Sequence, residues 1–314
     1  MKIRPGVKKK RRLKYISILP SFVTLMNGAC GFMALVFTSR SPSLRLSLPF
    51  IRRSFLSSFA IAGYMIFLAM IMDVLDGRVA RLTRTTSSFG GQLDSLSDVI
   101  SFGIAPAFLM FKLMDFHLDN LRYSYTGFSM FLGRGIFFSA ILYVMCAVVR
   151  LARFNVENEE DESAHMYFSG LPSPAAAGVV VSLVVLHQNF NQRYTDVLSG
   201  AYLRFELFTV IALPVITLLT GFLMVTRIRY PHLTNQILRG KKTPVTLLAF
   251  FASGILLVWN IQLAMVIGFC GFTLYGIVRW TILFINKKRQ VRSGSTAGVS
   301  EENTGAPPHS GDPE

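Results

Sequence analysis

DVLDGRVARLTRTTSSFGGQLDSLSD, residues 73–98, sets aspartates at 73, 76, 94 and 98 at the facing ends of two otherwise apolar segments. Asp73 and Asp76 are three residues apart, and Asp94 and Asp98 are four apart. On helices either spacing puts the pair on one face. Two such faces opposed would gather four carboxylates into a small volume, where like charges repel strongly in a low dielectric. Such a cluster takes up protons or binds cations. Its oxygen donors suit a hard ion such as Mg²⁺, Mn²⁺ or Ca²⁺. Two such ions bridged by shared carboxylates suit a phosphoryl-type displacement.

The rest of the chain sets this stretch in a membrane. Of 314 residues, 52% are hydrophobic and 16% charged, with a mean hydropathy of +0.47. Apolar runs of about 20 residues recur, the length that crosses a hydrocarbon core. The fold class expected is an all-α polytopic membrane protein with eight spans, near 16–38, 55–76, 92–113, 132–152, 171–188, 204–226, 244–259 and 261–285. Period-two alternation is absent, which argues against a β-barrel. The expected organisation is a basic cytoplasmic segment at 1–15, a six-helix catalytic domain at 16–226, a loop with two further helices at 227–285, and a disordered cytoplasmic tail at 286–314. The N-terminal apolar stretch is too long for a cleavable signal.

The formal charge of +15 does not point to nucleic acid. Lys and Arg cluster at the ends of apolar runs, as in KKKRR at 8–12, RGKK at 239–242 and KKRQVR at 287–292. That placement fits anionic lipid head groups and a cytoplasmic N-terminus. It puts the aspartates on the cytoplasmic side of a cell membrane. The exception is the first outer loop, which carries Arg40, Arg45, Arg52 and Arg53. Cys30, Cys146 and Cys270 lie inside apolar runs without metal-ligand spacing and read as structural thiols. The five histidines read as loop or segment-end residues.

Between the aspartate pairs, Gly77 and Gly90 remove side chains where a large group would approach, and Ala80 is small on the same side. Arg78, Arg81 and Arg84 supply positive charge suited to phosphates. The bland alternative makes the aspartates interfacial charges paired with those arginines. Four at these spacings, with glycines beside them, fit a functional site better.

The pattern Asp73-x-x-Asp76-Gly77-x-x-Ala80-Arg81, eight residues, Gly90-x-x-x-Asp94-x-x-x-Asp98 resembles the signature of the CDP-alcohol phosphotransferase family at every fixed position. The resemblance implies displacement of cytidine monophosphate from a CDP-linked substrate by an alcohol. It implies that Asp73, Asp76 and Asp94 hold two divalent cations. Asp98 contacts the second cation and acts as the base on the attacking hydroxyl. Asp73, Asp76, Gly77, Ala80, Arg81 and Gly90 then bind the nucleotide. A six-helix core and a homodimer are implied as well.

Three flanking stretches, SFGIAPA at 101–107, RLARFNV at 150–156 and GLPSPAAAG at 170–178, resemble the phosphatidylserine synthase branch, whose substrates are CDP-diacylglycerol and L-serine. LPSFVTLMNGACGF at 19–32 resembles that branch's first helix. It departs at Ser21, where Asn is more usual, and retains Asn27. Serine needs an anion site for its carboxylate. Arg150 and Arg153, with Asn155 beside them, lie level with the aspartates and are the candidates for it.

Other acceptors, such as glycerol 3-phosphate, inositol phosphate or choline, are the near alternatives. A membrane prenyltransferase also uses Asp clusters and diphosphate, but normally on separate, distant helices. A cation transporter would explain the carboxylates and not Gly77, Ala80, Arg81 and Gly90.

Overall fold

The computed structural model describes residues 18–40, 57–83, 88–122, 126–160, 168–194, 199–226, 228–230 and 260–301. They form α1 (Ile18–Ser39), α2 (Ser58–Thr83), α3 (Ser88–Asp98), a π-helical turn (Val99–Ile104) and α4 (Ala105–Arg122). There follow α5 (Thr126–Glu160), β1 (Phe168–Ser169), α6 (Ser173–Tyr194), α7 (Ser199–Val225), β2 (Arg229–Tyr230) and α8 (Ile261–Glu301). The segment α3–π–α4 runs as one span. Among the described residues, seven spans are therefore long and apolar enough to cross a membrane. The protein is an integral, multi-pass, helical membrane protein. The expected seventh segment, 244–259, lies outside the described residues, as do 1–17 and most of the Arg-rich loop.

Helix ends differ from the sequence reading. α5 continues to Glu160, past the expected end of that span at 152, and α8 extends to Glu301, past the start of the expected tail. Unbranched Glu at 157–160 and Lys, Arg and Gln at 287–290 lose little freedom in a helix and prolong it at low cost; the further run through 293–300 has no such cause in its residues.

α1 shows how the bundle is sorted. Thr24, Asn27, Cys30, Gly31, Ala34 and Thr38 are buried, while Phe22, Leu25, Phe32 and Met33 are exposed. Small and polar residues face inward and large apolar ones outward. Lipid is as apolar as a leucine side chain, so close packing and hydrogen bonds, not oil-in-water sorting, draw such helices together. The approach is tight: a Cβ on Gly31 would lie 2.8 Å from the Ser101 Cα. α1 packs along α2 and against the α3–π–α4 span, while α5 pairs with α7. α6 is the central helix and touches α2, α4, α7 and α8.

The π turn has a local cause. Pro106 has no N–H, and its ring crowds the carbonyl four residues back, on Phe102. Widening the helix by one residue relieves that crowding, and the Ala105 N–H reaches back to the Ile100 carbonyl. The freed Phe102 carbonyl accepts a 3.1 Å hydrogen bond from the buried Tyr143 hydroxyl of α5. The π turn begins immediately after Asp98.

A second constraint fixes the start of α6. Gly170 has φ +89°, a left-handed conformation that favours glycine, and a Cβ there would lie 2.2 Å from the Met224 carbonyl oxygen. Its N–H donates to Ile228 O at 2.9 Å, and the Leu171 N–H donates to Leu223 O at 3.0 Å. The turn thereby satisfies a carbonyl of the last turn of α7.

Candidate active site

α2 ends and α3 begins at the same end of the bundle, and both pack against α1, which brings their aspartates together. Asp73, Asp94 and Asp98 each offer a carboxylate oxygen, and these atoms lie within 4.8 Å of one another. Asp98 is buried, and Asp73 and Asp94 are partly buried. Asp76 stands outside this threesome. It is buried, its Oδ2 accepts a hydrogen bond from the Thr24 hydroxyl of α1, and its Oδ1 has no hydrogen-bond partner. Asp98 Oδ1 accepts a 3.0 Å hydrogen bond from Asn27 Nδ2.

The donor set suits a hard divalent cation. It consists of carboxylate oxygens alone, three of them converge, and a fourth carboxylate keeps one oxygen unpaired beside them. Buried like charges at this spacing are costly without a compensating cation.

Room for a bound molecule lies beside Gly77. A Cβ there would meet nothing within 4 Å, so packing within the chain does not require glycine at that position. Gly90 lies in the first turn of α3. Ala80 and Arg81 fall in the last turns of α2, and their side chains lie outside the described residues.

The candidates on α5 separate by role. Arg150 lies close enough to Asp73 and Asp98 for their charges to interact. Its Nη1 donates to the buried Ser173 hydroxyl at the start of α6, and its Nε is buried with no hydrogen-bond partner. Arg153 pairs with Glu157 one turn on, Nε to Oε1 at 2.8 Å, and extends Nη1 to Val225 O at the end of α7, 3.5 Å away. Asn155 Oδ1 accepts a 2.9 Å hydrogen bond from the hydroxyl of Ser95, the neighbour of Asp94. The structure thus brings Arg150 to the carboxylates, turns Arg153 toward α7, and makes Asn155 a tie between α5 and α3.

Thr24, Ser95 and Ser173 were not singled out from the sequence. The available signal was their polarity within apolar helices, which in lipid calls for an internal partner. Two of the segment-end histidines, His117 and His187, are buried near the ends of their spans. Their rings lie 4.9 Å apart, and His117 Nδ1 is 3.1 Å from Glu206 Oε1, at the bundle end opposite the aspartates.

Known proteins resemble this chain over most of its length. A model of the CDP-alcohol phosphatidyltransferase family matches residues 17–211, which include all four aspartates. The CDP-diacylglycerol–serine O-phosphatidyltransferase of Helicobacter pylori strain 26695 is 34% identical over 254 residues, covering 80% of this chain and 91% of the relative. The protein of the same name from Methanocaldococcus jannaschii is 30% identical over 225 residues, 72% of this chain and 79% of the relative. The one from Saccharomyces cerevisiae is 32% identical over 171 residues, about half of each chain. The carboxylate cluster falls within the matched span, and the chain belongs to the CDP-alcohol phosphatidyltransferase family.

Proposed function

We propose that the chain transfers the phosphatidyl group of CDP-diacylglycerol to L-serine, giving phosphatidylserine and cytidine monophosphate. The observation that carries the reading is the convergence of Asp73, Asp94 and Asp98 at one end of the bundle, with Arg150 beside them. The names of the relatives supply the acceptor.

Asp73, Asp76, Asp94 and Asp98 hold two divalent cations, Mg²⁺ or Mn²⁺, with Ca²⁺ a third hard ion the donors accommodate. When bound, the cations neutralise the diphosphate and stabilise the leaving phosphate. Asp73, Asp76, Gly77, Ala80, Arg81 and Gly90 bind the nucleotide. Gly77 leaves space at the backbone, and Arg81 supplies charge. Asp98 takes the proton of the serine hydroxyl. The hydroxyl oxygen then bonds to the phosphorus that bears diacylglycerol. The bond from that phosphorus to the cytidine monophosphate oxygen breaks, and its electron pair leaves with the nucleotide.

Arg150 receives the serine carboxylate, because Ser173 holds one of its arms, its Nε has no hydrogen-bond partner, and it lies within reach of the charges of Asp73 and Asp98. Asn155, tied to Ser95 beside Asp94, completes that wall, while Arg153 stays engaged with Glu157 and the end of α7. The site lies on the cytoplasmic side of the cell membrane, where the acyl chains remain in lipid while nucleotide and serine meet water. The homodimer implied by the family resemblance belongs to the same proposal.

The test is release of cytidine monophosphate by the purified protein in detergent, with Mn²⁺ or Mg²⁺ and CDP-diacylglycerol. L-serine is compared with glycerol 3-phosphate, inositol phosphate and choline. Serine-dependent, chelator-sensitive release is the expected result. Release with another alcohol alone retains the phosphotransfer reading and discards the assignment of Arg150.

A further inference from the structure

Two side chains of α1 reach the aspartates from outside the 73–98 stretch. The Thr24 hydroxyl donates to Asp76 Oδ2, and Asn27 Nδ2 donates to Asp98 Oδ1 at 3.0 Å. Both residues are buried, at 2% and 0% exposure. Three apart on a helix, they share a face. The placement of α1 is itself tightly set. A Cβ on Gly28 would come within 3.2 Å of Ser97 Oγ, and one on Gly31 within 2.4 Å of Ser101 Oγ. The Ser101 hydroxyl donates to the Asn27 backbone carbonyl at 2.9 Å. The helix therefore cannot slide or turn without losing both contacts to the aspartates.

Each α1 donor engages one oxygen of its carboxylate and leaves the other. Asp76 Oδ1 has no partner, and neither does Asn27 Oδ1. An asparagine retained for packing alone would normally have both ends of its amide bonded when fully buried. Here only the end that faces Asp98 is used.

We propose that Thr24 and Asn27 are positioning residues for the catalytic carboxylates. They pin one oxygen of Asp76 and one of Asp98, so that the other is presented to cation and substrate. This rests on the phosphotransfer reading above. A carboxylate without such a partner rotates about its last bond and presents its oxygens in many directions. Outer partners of this kind typically change metal affinity about 10–100-fold when removed.

The experiment is calorimetric titration of Mn²⁺ into the full chain in detergent with CDP-diacylglycerol, followed by turnover with L-serine. The variants are Thr24→Val and Asn27→Leu, each close to the native side chain in size. They are also made on Asp76→Asn and Asp98→Asn backgrounds. In the native background each variant should weaken Mn²⁺ binding about 10–100-fold. It should lower kcat while leaving KM for CDP-diacylglycerol in place. On the matching Asn background the same change should alter Mn²⁺ affinity by less than about twofold, because the residue it acts through is already gone. Unchanged affinity in the native background overturns the proposal. So does an equal loss with and without the aspartate, which would mark a structural effect. If Asn27→Leu does not assemble, Thr24→Val with Asp76→Asn carries the same test. A native protein that binds Mn²⁺ but makes no lipid product from serine overturns the acceptor reading and leaves this coupling readable.

Discussion

The Tyr143 hydroxyl donates to the Phe102 carbonyl across the α5–π interface, 3.1 Å away, and both residues are fully buried. This one bond secures the widened turn that follows Asp98. Tyr143→Phe keeps the ring and leaves the carbonyl unpaired. The expected cost is about 1–3 kcal/mol, read as a lower thermal midpoint in detergent. Activity should fall as well, since the turn sets the direction of Asp98. Unchanged stability would mean that Phe102 O finds another donor.

Gly31→Ala should be among the more damaging single-methyl changes in α1. The new Cβ would lie 2.8 Å from the Ser101 Cα, and backbone cannot move aside as a side chain can. Overpacking of this kind costs roughly 1–3 kcal/mol. Gly77→Ala meets nothing within 4 Å and should leave stability unchanged while weakening nucleotide binding. Melting curves and nucleotide affinity measured on the two variants separate packing from binding. Equal stability losses would refute the distinction.

Asp98→Asn should lower kcat by about 10²–10⁴-fold, the share of a general base. Nucleotide binding should remain, because Asp73, Asp76 and Asp94 are untouched. Normal turnover would remove Asp98 from the base role.

Arg150→Ala should raise KM for serine by roughly 10–100-fold, the value of a hydrogen bond to a charged group. The KM for CDP-diacylglycerol should change little. Ser173→Ala, which frees one arm of Arg150, should act in the same direction by roughly fivefold. Steady-state kinetics with each substrate varied in turn check both. A rise confined to CDP-diacylglycerol would move Arg150 to the nucleotide side of the site.

Chelation should abolish turnover, and Mn²⁺ or Mg²⁺ should restore it. Adding Mn²⁺ to the chelated protein should also raise its thermal midpoint, since an ion that binds only the folded state stabilises it by mass action. A midpoint indifferent to Mn²⁺ would argue against a cation held by Asp73, Asp94 and Asp98.

The helical class and the aspartate site were legible in the sequence for simple reasons. A span is a run of apolar residues of fixed length, which composition alone reveals. Asp73, Asp76, Asp94 and Asp98 stand out because charge inside such runs is rare and costly, and their spacing puts each pair on one helical face. What the sequence did not carry was which groups meet across helices. Thr24, Ser95 and Ser173 resemble any other small polar residue in a span until packing supplies their partners. Arg150 and Arg153 were equal candidates on α5. Only the tertiary arrangement directs Arg150 to the carboxylates and Arg153 to the end of α7. The same holds for Asp76, which the spacing joins to Asp73 but which the approach of α1 claims for Thr24. Local periodicity fixes the face on which a residue sits. The neighbour it meets there depends on helix contacts such as Gly31 against Ser101, which are properties of two segments far apart in the chain.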